Sequence, residues 1–283
     1  IMLRKLKRYD EALKEIDKAV NLDPDNPEYH VERGHILLEY RKDDDPVRGL
    51  FEIPRYEEAV HEYDMAIRLD PKEPSYHIAK AEALHTHGKS KEVPGEVEEA
   101  LKEVEEAIRL DPDDVEYHLK KWEILEDMRK FEEALKEADE AISLDPDNPH
   151  THHSKGHALE DMGRFKEAAE VYNRAIALDP NDLNLHLDRY RVSMNAGMYE
   201  EALKEAEIAV DLDPDSYHEA RAEVLEKLGR YEEAIREYEI AIKLEGLSMY
   251  RVRKAVVLAK LGKCKEALKE VKDICSGYKD ECK

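Results

Sequence analysis

Six Leu-Asp-Pro triplets punctuate this chain, with prolines at Pro24, Pro71, Pro112, Pro146, Pro180 and Pro214, so successive stops lie 47, 41, 34, 34 and 34 residues apart. A period of that length predicts one helical unit copied and stacked, because a single such unit cannot bury its own apolar face. Helix-forming stretches carry a recurring alanine, ahead of the six stops at Ala12, Ala59, Ala100, Ala134, Ala168 and Ala202, and after the last of them at Ala234 and Ala267. Length therefore sets no domain count here, since the core of a stacked array grows along an axis.

Aligned on the prolines, each unit reads as a first helix (A), a tight turn and a second helix (B). Helix B has its alanine preceded by an aromatic at Tyr9, Tyr56, Phe131, Phe165, Tyr199 or Tyr231, and carries a second alanine seven residues on. These spacings give one apolar stripe on a charged helix, with small residues where another helix must come close. The stop ends helix B because proline supplies no amide and disfavours helix in the residue before it. Pro27, Pro74 and Pro149 stand where helix A begins, a position that tolerates proline. Helix A then offers Gly34, Ala81, Gly156 or Ala220 at its crossing point, and Leu37, Leu84, Leu125, Leu159, Leu225 and Leu258 one turn further.

With Ala168, Tyr172 and Pro180 in the A-x3-F and closing-proline pattern, the sequence resembles the tetratricopeptide repeat family over nearly its whole length. The resemblance implies an all-α fold, a right-handed superhelical solenoid of antiparallel helix pairs. Its units are expected at 27–73, 74–114, 115–148, 149–182, 183–214, 215–246 and 247–275, after a partial repeat at 1–26 and before a tail at 276–283. The chain thus reads as opening inside a repeat, and its last helix B, Lys263 to Cys275, as lacking a polar cap, which would suit self-assembly. The two long units place extra residues at about 42–55 and 89–96 in the turns between helices A and B, emerging side by side on one edge. Such insertions serve either as a binding surface or as neutral loop growth.

The resemblance also implies that helix A lines the concave wall at its second, fifth, ninth, twelfth and thirteenth positions. Those positions give Glu116, Glu123, Glu126 and Asp127 in one unit, His150, His153, His157, Glu160 and Asp161 in the next, Arg191 in the one after, and Glu219, Glu223 and Glu226 beyond it. The Lys and Asn clamp with which some family members hold acidic tails is absent. A wall this acidic suits a peptide or helix bearing Lys or Arg. The whole chain agrees: 45 basic against 68 acidic residues give a charge of -23, which repels nucleic acid and anionic lipid.

Other features read as structural. His30, His77, His118, His152, His186 and His218 replace the tryptophan common early in the family's helix A, and are expected to pack with one polar edge satisfied. A basic column, Arg33, Lys80, Lys121, Lys155, Arg189, Arg221 and Lys254, is expected to be neutralised by acids of helix B rather than to bind anions. His153 and His157 have metal-compatible spacing but no accompanying carboxylate motif, so no metal or other cofactor is expected. Cys264 and Cys275 fall in apolar columns and read as small buried residues, with Cys282 in the tail. No catalytic motif stands out. The sequence therefore points to a non-enzymatic, cytoplasmic scaffold for protein binding, or alternatively to the recruiting region of a larger enzyme or a self-assembling array.

Overall fold

The computed structural model describes residues 2–40 and 48–281, and among these every regular element is a helix. The chain divides into two compact units, Ile1–Pro146 and Asp147–Lys283. In the first, α1 (Met2–Lys5) and α2 (Tyr9–Leu22) precede the A/B pairs α3 (Pro27–Glu39) with α4 (Arg48–Leu69), α5 (Pro74–Lys91) with α6 (Pro94–Leu110), and α7 (Val115–Asp127) with α8 (Phe131–Leu144). In the second, the pairs are α9 (Pro149–Asp161) with α10 (Phe165–Leu178), α11 (Leu183–Ala196) with α12 (Tyr199–Leu212), α13 (His218–Lys227) with α14 (Tyr231–Glu245), and α15 (Ser248–Lys260) with α16 (Cys264–Glu281). Within each unit a helix packs mainly on its neighbours in sequence. No helix among the described residues is long and apolar enough to cross a membrane.

The stop segments also start the next helix. Asn26, Asp114, Asn148 and Asp182 each accept a hydrogen bond from the backbone N–H two residues on, which satisfies one of the free amides of helix A. The proline column sits at the helix starts as expected. Helix A ends through a left-handed residue, for which glycine is suited at Gly163, Gly229 and Gly262 but which Arg129 supplies after α7 at φ 58°.

The alanine columns are the packing seam: Ala59, Ala100, Ala134, Ala168, Ala202 and Ala234 have no exposed surface. Opposite them, the Tyr63 and Tyr172 rings lie against Gly34 and Gly156, where an added Cβ would meet a ring carbon at 2.7 and 2.6 Å. Glycine is required there by contact, not by backbone conformation. The leucine column is buried throughout.

Four expectations need correction. The residues expected in long turns lengthen helices instead. Arg48 to Arg55 extend the start of α4, and α5 runs to Lys91, separated from α6 only by Glu92 and Val93. Residues 42–47 of the first insertion lie outside the described residues. The crossing residue in α13 is the fully buried Ala222, not the half-buried Ala220. Here the link is shorter: His218 follows Pro214 by four residues where His186 follows Pro180 by six, so the helix starts late and Tyr217 takes φ 66°. Cys264 is exposed, at the first position of α16. Residues 276–281, expected as a tail, continue α16, while Cys282 lies outside the described residues.

Candidate interaction surface on the A helices

Within each unit charged residues form two layers across the helices, and only the outer one is open to a partner. The inner layer begins with the histidine column. Nδ1 of His30, His77, His118, His186 and His218 lies 2.7, 2.7, 3.0, 2.6 and 2.8 Å from a carboxylate of Glu62, Glu103, Glu137, Glu205 and Glu237 in the paired helix B. In four of these units Nε2 meets the carbonyl of the stop proline, Pro24, Pro112, Pro180 or Pro214. Each such ring therefore links the paired helix B to the stop segment that precedes its own helix.

The same glutamates take the basic column. Arg33, Lys80, Lys121 and Arg189 reach Glu62, Glu103, Glu137 and Glu205, and Lys254 reaches Glu270, where Arg251 holds the histidine's place. Most of these cations also reach back to the preceding helix B, as in Arg33 to Asp17 at 2.8 Å, Lys80 to Asp64 at 2.9 Å and Lys254 to Glu239 at 2.9 Å. Burial opposes the charge on Glu103, yet hydrogen bonds from His77 and Lys80 outweigh it and hold the carboxyl below its usual range. The basic column is thus a set of ties between repeats, not an anion stripe.

The outer layer is the exposed face of the A helices. In the first unit, Asp127 accepts from His85 at 2.8 Å and pairs with Lys89 at 2.7 Å, so α7 is tied to α5. Lys120 holds Glu123 at 2.8 Å and reaches Glu82 at 3.6 Å. Glu116 stays exposed on the first turn of α7, and Glu126 is half-buried one turn from Glu123.

In the second unit, Arg191 on α11 makes a two-pronged bond to Glu160 on α9, at 2.6 and 2.8 Å. It also pairs at 2.8 Å with Asp188, whose other oxygen lies 2.9 Å from His153 Nε2. Asp188 is only 9% exposed; burial works against its charge, but His153 and Arg191 keep its pKa below the usual aspartate value. The predicted residues His153, Glu160 and Arg191 therefore meet through a residue that the wall positions leave out. The signal for it was available, as an acid three residues before Arg191 on a helix face shared with it. His157 lies beside His153 with ring centres 5.6 Å apart, His150 is exposed, and Asp161 ends α9.

On α13, Lys260 of α15 binds Glu226 at 2.6 Å, while Glu219 and Glu223 meet no cation among the described residues. The wall is acidic, but less so than its composition: Asp127, Glu160 and Glu226 already hold cations of neighbouring helices, and Glu123 holds Lys120 of its own helix.

Family models for the tetratricopeptide repeat match residues 48–115, 94–149, 119–183 and 219–275, a second matches 159–224, and a TPR repeat model matches 2–39. No curated protein matches the sequence. Among solved structures, YrrB, described as a TPR protein with an unusual peptide-binding site, is 20% identical over 66% of this chain and 94% of its own, with a TM-score of 0.55. A tetratricopeptide repeat protein from Parabacteroides merdae is 14% identical over 88% and 92%, with a TM-score of 0.54. Yeast Tom70 is 15% identical, covering 94% of this chain and 54% of its own, with a TM-score of 0.52. Identities this low speak for the fold alone. The family models cover most of the sequence, and with the paired helices, alanine seams and proline stops they establish that the chain belongs to the tetratricopeptide repeat family.

Proposed function

We propose that this chain is a non-enzymatic scaffold whose A-helix face holds a Lys- or Arg-rich segment of another protein. The observation that carries the reading is the pair Glu219 and Glu223, on one face of α13 one turn apart and without a cation among the described residues. Carboxylates left in that state attract a cationic segment from a distance and can trade hydration for charge-assisted bonds once it docks. YrrB, a solved array described as having a peptide-binding site, supports the general role and not the charge of the ligand.

Fluorescence anisotropy with lysine-rich, neutral and glutamate-rich peptides tests it. The lysine-rich peptide is expected to bind, and Glu219→Lys with Glu223→Lys to weaken it by about tenfold or more, as for a pair of central charge contacts. Equal binding of all three peptides would sink the reading. Self-assembly is a second reading, favoured by the exposed Leu268 and Val271 on α16. A monomer in sedimentation at high concentration would remove it.

A further inference from the structure

Eight of the thirteen large apolar side chains exposed among the described residues lie between Ile240 and Val271. Scattered exposure is ordinary, but concentration at one end of a chain this charged is not. On α15, Met249, Val252 and Val256 are 48%, 49% and 46% exposed. Their spacing of three and four residues aligns them in one stripe, opposite Tyr250, Ala255 and Leu258, which face the core.

These are wall positions. At the places of Met249 and Val256, helix α3 carries Glu28 and His35, and α7 carries Glu116 and Glu123. At the place of Val252 the same helices already carry Val31 and Leu119, so what sets α15 apart is that all three positions of the stripe are apolar. The helix beside it is α13, joined to α15 by Lys260 and Glu226 and facing Tyr250 with Glu219. Glu219 and Glu223 hold on α13 the same wall positions that Val252 and Val256 hold on α15, so an acidic row stands beside an apolar row.

The apolar row extends over about two helical turns, roughly 10 Å at 1.5 Å per residue, and the acidic row over about one, roughly 6 Å. A helix laid along α15 presents side chains at this same spacing, and side chains on its flank fall over the neighbouring row. We infer that α13 and α15 together dock a cationic amphipathic helix of a partner protein, its apolar stripe on Met249, Val252 and Val256 and its Lys or Arg flank on Glu219 and Glu223. The inference rests on the proposed scaffold function and narrows its ligand from a basic segment to a basic helix with apolar anchors. Charge decides the occupant: a second copy of this chain brings a charge of -23 to an already acidic row.

The full chain is titrated into a fluorescein-labelled helical peptide with a leucine stripe and a lysine flank. Binding is expected to weaken about tenfold in each of three changes: leucines to alanine in the peptide, Val252→Ser with Val256→Ser, and Glu219→Gln with Glu223→Gln. All the protein positions lie on the accessible face, and circular dichroism verifies that the variants keep their helix. If the alanine peptide binds as well as the leucine peptide, the apolar anchor is wrong while the scaffold for basic segments survives. If neither binds, both readings fall. If the valine variants convert a dimer to a monomer in sedimentation, a second copy is the occupant and the inference is overturned.

Discussion

Glu103 shows how much one buried carboxylate does in this fold. It accepts from His77 and Lys80 at 2.7 and 2.8 Å and is mostly covered, so Glu103→Gln leaves two donors facing a weaker acceptor. Removing one partner of such a set is expected to cost about 3 kcal/mol in chemical denaturation. The pH dependence follows from the direction of its shift. The folded pKa lies below the ordinary value of 4.5, so the stabilisation is fully present above that value and is lost as pH falls through the folded one. Acid titration of stability should therefore be shallower below about pH 4.5 in the Gln variant than in the parent. Arg129 is the opposite case, a side chain in a conformation that glycine adopts freely in the same turn elsewhere. Arg129→Gly should raise stability by about 0.5–1 kcal/mol, read as a higher melting temperature, after losing a weak contact with the Phe131 ring.

At the scale of the element, the helix pair is decided by contacts between small residues and rings. Gly156→Ala brings a methyl into the Tyr172 ring and should destabilise by about 2 kcal/mol, since a buried aromatic in a packed seam has little room to shift. These seams were legible in the sequence because glycine, alanine and proline recur at fixed offsets. The carboxylate ties were legible in principle, since the glutamate follows its histidine by 19 residues in three units. In the long units the separations become 32 and 26, which differ from 19 by the inserted 13 and 7 residues. Proline alignment absorbed that offset without revealing the pair. The insertions misled for a physical reason: an alignment says where residues are added, not whether they extend a helix that can already continue. Asp188 was missed because family wall positions describe what faces a ligand, whereas Asp188 faces a neighbouring helix.

At the scale of the molecule, two compact units, Ile1–Pro146 and Asp147–Lys283, each carry several complete helix pairs. In an array, stability is close to a sum over units and their junctions, so residues 1–146 produced alone should keep a helical circular dichroism spectrum and unfold cooperatively. A random-coil spectrum would show that the remaining repeats are needed. At this scale the periodicity pointed to a stack of repeated helical units, and the family resemblance supplied the fold of that stack. The surface was not, because net charge counts carboxylates without saying which ones already hold a lysine or an arginine.

The ties through the basic column have a mechanical consequence. Lys80 grips acids on both α4 and α6, and Lys254 does the same with α14 and α16, so neighbouring repeats are riveted as well as greased. Ionic rivets act over a few ångströms and then let go, whereas apolar contact yields gradually. Pulled from one end, such a stack should resist stiffly and then release a helix pair at a time, giving a sawtooth of force rather than a smooth extension.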